Sequence, residues 1–124
     1  MKHKLPELRA HYKLWLSLKN GDGILGDGKW RLLKAIEEFG SISKAAINLG
    51  ISYRKAWGDL KKAEELLGVP VIEKHRGGQS GGNSVITPRG LCLIKAYTRF
   101  HNDFENSFQR SFKKFLHEIS VMQK

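Results

Sequence analysis

The sequence predicts a mainly α-helical fold with small β elements (α+β). The predicted arrangement is a winged helix-turn-helix with an N-terminal β-hairpin and a long C-terminal dimerisation helix. Two short helical patterns meet at a tight turn at Gly50, and a glycine-rich hairpin follows at residues 69–87. An apolar stripe at helical spacing then begins at Leu93. One domain is expected over residues 1–124, with the hairpin at 12–26, the winged helix-turn-helix at 29–87 and the dimerisation helix at 88–120.

The N-terminal part of the chain is predicted to form a β-hairpin. Residues 12–18 alternate in the way of a half-buried strand, with three leucines on one face. Asn20-Gly21 and Asp22-Gly23 are typical of hairpin turns. Ile24-Leu25 would return as a short second strand, and Asp27 is a candidate N-cap for the helix that follows.

Three helical segments come next, and each has signals for its ends. Residues 29–39 repeat apolar side chains at helical spacing, and Gly40 suits the left-handed residue that ends a helix. Ser41 or Ser43 is expected to cap the second helix, and Ser52 the third. The inner face of the third helix is expected to consist of Ala56, Leu60, Ala63 and Leu67.

Small residues favour a close crossing of the second and third helices. Ala45, Ala46 and Ala56 flank the turn at Gly50, so two short helices can approach each other at a steep angle. A generic helical hairpin is the alternative, but it would not account for the basic residues on the open face.

The open face of the third helix is a candidate DNA-reading surface. If Ala56 and Leu60 face the core, the first turns of the helix present polar side chains outward, where a helix-turn-helix meets the major groove. Arg54 could donate to a guanine or to a phosphate, whereas Trp57 either packs at the edge of the helix pair or touches DNA. A solvated surface is the alternative. The candidate DNA contacts here are Ser43, Lys44, Ser52, Tyr53, Arg54, Lys55, Trp57 and Lys61.

The glycine-rich hairpin is a candidate wing. Residues 69–74 and 84–87 are predicted strands, and 77–82 contain four glycines. The loop joins two strands and has no GKS or GKT ending, which excludes a phosphate-binding P-loop. A mobile surface loop without a function is the alternative. The candidate DNA contacts in the wing are Lys74, Arg76, Gln79 and Ser80.

The last helix is predicted to begin with Thr87 as N-cap and Pro88 as its first residue. A helix of about 30 residues spans about 45 Å, which is longer than a small winged domain can cover. A second copy of the chain is therefore expected to cover the apolar stripe, although folding back on its own domain is an alternative. The candidate interface residues are Leu93, Tyr97, Phe100, Phe104, Phe108, Phe112 and Phe115.

The composition favours a polyanionic partner. Lys and Arg total 22 against 12 Asp and Glu, which gives a formal net charge of +10. Such a surplus suits nucleic acid first and an anionic membrane surface second. No apolar run approaches the roughly 20 residues that span a bilayer, and the N-terminus lacks the apolar segment of a signal peptide. A cytoplasmic protein without a membrane partner is expected.

Catalysis is not expected. The five histidines show no tight metal-binding spacing, and the adjacent glutamates on the helices diverge. Cys92 is the single cysteine, which excludes an intramolecular disulfide and a cysteine-based metal site. Its apolar neighbours predict a buried, unreactive thiol. We therefore expect no enzymatic activity, no metal and no cofactor.

Several short segments form one combined pattern, SISxAA…GISYxxAW with a GGxxGG wing. They are Gly40–Ser43, Ala45-Ala46, Gly50–Tyr53, Ala56-Trp57, Gly77-Gly78, Gly81-Gly82 and Thr87–Gly90. The pattern resembles the N-terminal DNA-binding domain of ModE, the molybdate-responsive transcription regulators, over roughly residues 12–100. The wider winged-helix arrangement is similar to that of LysR-type regulators.

The resemblance implies a homodimeric, sequence-specific regulator of transcription that binds double-stranded DNA. Dimerisation through the last helix would place two recognition helices about one helical turn apart, roughly 34 Å, as a palindromic operator requires. Residues 91–124 look like one helix and leave no room for the molybdate-binding domains of full-length ModE proteins. Molybdate sensing by this chain is therefore not expected, and a separate effector or partner protein could supply the signal. The alternative is an RNA-binding or protein-interaction adaptor that uses the basic face or the Phe-rich helix.

Overall fold

The computed structural model describes residues 5–75 and 83–122, and this part of the chain contains four helices and four short strands. In chain order these elements are β1 (Trp15–Ser17), β2 (Gly23–Gly26), α1 (Asp27–Phe39), α2 (Ile42–Leu49), α3 (Tyr53–Leu67), β3 (Ile72–His75), β4 (Asn83–Ile86) and α4 (Pro88–Val121). Their order is the predicted one, and the mainly α-helical fold with small β elements is confirmed.

The described residues form two compact groups. Leu14–Tyr97 is the first, called the helix-turn-helix unit below. The described residues of Met1–Lys13 and Thr98–Lys124 are the second, called the terminal unit. Helix α4 supplies residues to both. The single domain and its segments stay a prediction, because compactness alone does not decide what folds as one domain.

The N-terminal hairpin is confirmed, although its first strand is shorter than predicted. Strands β1 and β2 pair antiparallel with an irregularity after Leu16. The turn is closed by the Leu18 amide, which donates to the Asp22 carbonyl at 2.9 Å, and Gly21 adopts φ 96°. A positive φ of this kind favours glycine. The Leu18 side chain lies beyond the strand and is 40% exposed, so it does not share the buried face predicted for the three leucines.

Serine side chains begin two helices as predicted. The Ser41 hydroxyl accepts the Lys44 amide at 3.2 Å, which assigns the α2 cap to Ser41 and not to Ser43. The Ser52 hydroxyl accepts the Lys55 amide at 3.0 Å and caps α3. Each bond satisfies an amide that would otherwise lack a partner at the start of the helix. The prediction for Asp27 was wrong. This residue already belongs to the first turn of α1, and its carboxylate accepts the Tyr97 hydroxyl at 2.9 Å.

The core of the helix-turn-helix unit is formed by large aliphatic residues of α1 and α3 and by alanines at the helix crossing. Leu32, Ile36 and Leu60 are at most 1% exposed. The alanines that were predicted to allow the close crossing, Ala45, Ala46 and Ala56, are at most 3% exposed, and Ala63 of the predicted inner face of α3 is fully buried. Burial of these side chains holds the start of α3 in a defined position, because short helices are not stable by themselves.

The base of the wing is held by strand pairing and by hydrogen bonds of the Thr87 side chain. Strands β3 and β4 pair antiparallel from Ile72↔Ile86 to His75↔Asn83. The Thr87 hydroxyl donates to the Pro70 carbonyl at 2.9 Å and accepts the Gly90 amide at 3.1 Å, which confirms Thr87 as the cap of α4. The β3–β4 pairing thus ends at Ile86, one residue before the cap of α4.

The terminal unit contains an aromatic cluster. The Tyr12 ring lies 5.1 Å from the Phe104 ring and 4.4 Å from the Phe108 ring, between centroids. The Tyr12 hydroxyl donates to the Glu105 carboxylate. This bond, followed by one from Gln109, lowers the pKa of Glu105 below its ordinary value, because both donors stabilise the charged form. The N-terminal segment thus covers part of the apolar stripe.

Candidate nucleic-acid interface

The first turns of α3 present a polar face to solvent. Tyr53, Arg54 and Lys55 are exposed, and Tyr53 keeps 47% of its surface. Ala56 on the same turn is fully buried, so the helix is anchored by one side and open on the other. The Ser52 cap fixes where the first helical turn begins. Such a face can place several hydrogen-bond donors into a major groove.

Further along α3 the same face continues. Lys61 is exposed, whereas Trp57 is partly buried and packs against the core. The Trp57 and Tyr53 rings meet edge to face with centroids 6.2 Å apart. Of the two roles considered for Trp57, packing at the edge of the helix pair is the one its burial supports. The aromatic contact also restrains the Tyr53 ring on the open face.

The start of α2 adds a second group of polar residues. Ser43 and Lys44 are both exposed. The Lys44 amide is bonded to Ser41, so the backbone here is fixed while the side chain remains accessible. The structure therefore shows all the predicted contacts of α2 and α3 as exposed, with Trp57 as the exception. Their contact with DNA stays a prediction.

An acidic residue lies among the lysines of this surface. The Asp59 carboxylate is 3.3 Å from the Lys55 Nζ and 3.9 Å from the Lys29 Nζ. The Asp59 side chain is 15% exposed, the Lys29 side chain 25% and the Lys55 side chain 59%. One carboxylate thus bridges a lysine of α3 and a lysine at the start of α1.

The wing tip lies outside the described residues. Arg76, Gln79 and Ser80 fall in that segment, and for Lys74 only the strand position is described. The Ser84 amide, on the returning strand, donates to the Gly40 carbonyl at 2.9 Å. This bond attaches the described base of the wing to the end of α1. The contacts predicted for the four wing residues stay predictions.

The predicted interface stripe on α4 divides into two parts. Leu93 is 9% exposed and Tyr97 3%, and both belong to the core of their own helix-turn-helix unit. The Tyr97 and Trp30 rings lie 5.4 Å apart. The interface role predicted for Leu93 and Tyr97 is therefore corrected to a core role, because their surface is already buried within the chain.

The remaining aromatic residues of the stripe lie in the terminal unit. Phe100 is 44% exposed, Phe104 43% and Phe115 50%. Phe108 and Phe112 are partly buried. An exposed row of phenylalanines is unusual for a surface that faces only water. These five residues, Phe100, Phe104, Phe108, Phe112 and Phe115, are called the Phe stripe below.

Cys92 is exposed, so the predicted buried thiol was wrong. The buried side of α4 at this point is formed by Leu93 and Ile94, whereas Cys92 borders an apolar groove of about 460 Å³ together with Leu67 and Ala96.

Within residues 5–75 and 83–122, no group of three His, Cys, Asp or Glu side chains is arranged to hold a metal ion. No helix of the described chain has the length and apolar character needed to cross a membrane.

Asp59 and Lys29 were missed by reasoning from the sequence. The spacing of Lys55 and Asp59, four residues apart on one helix, is a usable signal for an ion pair. Nothing in the sequence indicates that Lys29, thirty positions earlier, would meet the same carboxylate. That contact depends on how α1 packs on α3.

Comparison with known proteins agrees with this geometry. Residues 28–91 match the family described as bacterial regulatory helix-turn-helix proteins of the lysR family. The chain is 44% identical over 73 residues to the molybdenum-pterin-binding protein MopB of Rhodobacter capsulatus. The aligned residues make up 59% of this chain and 27% of MopB. It is 41% identical over 66 residues to the DNA-binding transcriptional dual regulator ModE of Escherichia coli K12. This alignment covers 53% of this chain and 25% of ModE.

The fold also matches a solved structure. The chain is similar to the crystal structure of the BenM DNA-binding domain in complex with benA site 1 DNA, with a TM-score of 0.54 and 22% identity. The match covers 69% of this chain and 94% of that one. This likeness confirms the winged helix-turn-helix fold. The chain spans about a quarter of the length of the two curated relatives named above.

Proposed function

Because the chain belongs to the lysR family of bacterial regulatory helix-turn-helix proteins, we propose that it binds double-stranded DNA sequence-specifically and regulates transcription. The observation that carries the proposal is the open face of α3. Its first turn is capped by Ser52 and anchored by the buried Ala56, while Tyr53 and Arg54 are exposed. The similarity to the DNA-binding transcriptional dual regulator ModE of Escherichia coli K12, 41% identity over 66 residues, supports the same role.

The residues of the interface divide by the chemistry they offer. Arg54 carries a planar guanidinium that can bind both acceptors on a guanine edge. Lys44, Lys55 and Lys61 offer positive charges that suit phosphates, and the hydroxyl groups of Ser43 and Ser52 can donate hydrogen bonds to them. Tyr53 can donate to a phosphate. The net charge of +10 favours the approach of DNA in general, without selecting a sequence.

The wing is included in the proposal as a clamp on the flanking backbone. Lys74, Arg76, Gln79 and Ser80 are its candidate contacts, and four glycines would let the tip approach the sugar-phosphate surface closely. The bond from the Ser84 amide to the Gly40 carbonyl supports the clamp, because it ties the base of the wing to the end of α1.

We further propose that the protein acts as a homodimer through the Phe stripe, at a palindromic site. Three of its phenylalanines are between 43% and 50% exposed, and a second copy would remove that surface from water. Two copies related by a twofold axis would present two α3 helices to half-sites about 34 Å apart. The proposed role is binding without catalysis. It places the protein in the cytoplasm, because a regulator must reach the chromosome.

The proposal is tested by selecting duplexes from a random library with the purified protein. Recovery of an enriched motif with twofold symmetry is expected, and a library without enrichment would contradict sequence-specific binding. An RNA library in parallel tests the adaptor alternative. Enrichment of RNA alone would replace the proposal.

The role of Arg54 is tested on the selected duplex. Arg54→Ala is expected to weaken binding by about 1–3 kcal/mol and to relax base preference at one position in each half-site. Arg31→Ala removes another exposed arginine, which lies on α1, and serves as the control with a smaller expected loss. Equal weakening on every sequence would show that Arg54 contacts phosphate and not a base.

A further inference from the structure

Asp59 is the one acidic residue in the stretch from Ser52 to Lys61, among the lysines of the proposed DNA face. Asp59 lies one turn beyond Lys55, and both of its carboxylate oxygens accept from the Lys55 Nζ, at 3.4 and 3.3 Å. Lys55 is thus held at both ends, since its amide is bonded to Ser52. The lysine side chain runs along the helix and not straight out from it.

The carboxylate itself is held from a second side. The Lys29 Nζ lies 3.9 Å from Asp59, and both of these side chains are largely covered. Rearrangement of Asp59 would therefore disturb a contact between α1 and α3. By contrast, Lys55 is 59% exposed, and a single exposed ion pair stabilises a protein little. The effect of this pair is therefore expected on the charge that Lys55 offers to DNA and not on the stability of the fold.

A fixed carboxylate on a DNA-facing helix acts mainly against unspecific binding. Affinity for arbitrary sequences comes almost entirely from cations that neutralise phosphates. A carboxylate that pairs with Lys55 removes one such cation from the face and repels the phosphates as well. Hydrogen bonds from Arg54 to base edges do not depend on that cation, so the specific contacts are retained.

We infer that Asp59 is a specificity-determining residue, which holds Lys55 along α3 and thereby lowers the affinity of this face for DNA of arbitrary sequence. The inference rests on the proposed DNA-binding function and deepens it. In this arrangement Asp59 touches no base. It acts through Lys55, with Lys29 as the residue that keeps it in position.

The test compares Asp59→Asn with Glu65→Gln, which removes the same charge from α3. Glu65 is half exposed and pairs with Lys62 at 3.8 Å, on a position not assigned to the DNA face. Binding is measured on the selected duplex and on a random-sequence duplex over a range of salt. Asp59→Asn should raise the random-duplex affinity by up to about eightfold at 0.1 M salt and steepen the salt slope by about 0.9. Glu65→Gln should change both quantities much less.

The outcomes separate the inference from the proposed function. Equal effects of the two variants on the random duplex would overturn the inference alone. If the wild-type protein bound no duplex in a salt-dependent way, the DNA-binding proposal would fail as well. The double variant Asp59→Asn with Lys55→Gln should lose the gain in random-duplex affinity, and a gain that persisted undiminished would show that Asp59 does not act through Lys55.

A second measurement carries the test if Asp59→Asn fails to fold. Lys55→Gln removes a lysine that Asp59 already neutralises, whereas Lys61→Gln removes another exposed lysine of the same face. The first variant should therefore weaken random-duplex binding less than the second. Equal losses would overturn the inference.

Discussion

The helix-turn-helix unit and the terminal unit differ in how far their large apolar side chains are buried. Leu32, Ile36 and Leu60 in the first are at most 1% exposed. Phe104 and Phe115 in the second keep 43% and 50% of their surface, although they follow the same helical spacing. The first unit therefore supplies its own core. The second offers an apolar row that its own Tyr12 covers only in part.

Helical periodicity identifies a face that can be buried but does not identify what buries it. Along α4 the apolar series begins at Leu93 and Tyr97, which are buried within the chain, and continues into the Phe stripe, where Phe100, Phe104 and Phe115 are 43% to 50% exposed. Residue type and spacing are the same kind of signal in both parts. The partner surface is the quantity that changes.

The largest expected effect concerns the core of the helix-turn-helix unit. Leu60→Ala should lower the free energy of unfolding by about 2–5 kcal/mol, because it removes a fully buried side chain and leaves a cavity. Leu66→Ala is the matched control on the same helix. Leu66 is 37% exposed, so a loss of about 1 kcal/mol or less is expected. Urea unfolding followed by circular dichroism measures both, and similar losses would contradict the contrast between buried and exposed positions.

The next effect concerns the Phe stripe. Phe115→Asp places a charge at a half-exposed position whose ring stacks on Phe112 at 6.5 Å between centroids. In the proposed homodimer, the dissociation constant should rise at least about tenfold, which corresponds to about 1.4 kcal/mol. Ser111→Asp adds the same charge at an exposed position of α4 and should change it much less. Sedimentation equilibrium measures the association, and an unaffected dimer in Phe115→Asp would exclude this residue from the interface.

The smallest expected effect concerns the partial cover of the stripe by Tyr12. Tyr12→Phe keeps the ring contacts with Phe104 and Phe108 but removes the hydroxyl that donates to Glu105. The pKa of Glu105, now lowered mainly by this bond, should therefore rise towards its ordinary value. A carboxyl-carbon NMR titration measures it. An unchanged Glu105 pKa would show that the bond does not form in solution.

The sign of the linked pH effect follows from the direction of the shift. A lowered pKa in the folded state contributes stability that is present above the unfolded-state pKa and is lost as the pH falls through the folded value. The wild-type protein should thus lose this contribution on acidification, and Tyr12→Phe should lose less. The comparison of the two proteins at acid pH and at neutral pH checks the sign without requiring the absolute stability.

Local signals in the sequence predicted much of the helix-turn-helix unit. The caps at Ser41, Ser52 and Thr87 follow from hydrogen bonds within three residues of the chain. The glycines that end α1 and α2 adopt φ 70° and 68°, which that residue type permits. The alanines at the helix crossing were identified in the same way. For the candidate interface, the position of α3 and its exposed polar residues followed from the buried side of the helix.

Other features depended on contacts between distant parts of the chain. The apolar run around Cys92 predicted burial, but only the packing of α4 shows that Leu93 and Ile94 face the core and Cys92 does not. Asp27 lies at a helix start as expected, yet its partner is the hydroxyl of Tyr97, seventy positions later. Such contacts leave no periodic trace in the sequence, because each needs two elements to be brought together.

Local sequence sets where the helices of the helix-turn-helix begin and end, and which side of α3 is buried. These properties depend on residues within a few turns of one another, through capping, backbone freedom at glycine and the helical period. Packing between elements sets which part of the apolar series on α4 is core and which is exposed, and it brings Lys29 to the carboxylate of Asp59. Those outcomes depend on the distance between elements, and only packing sets that distance.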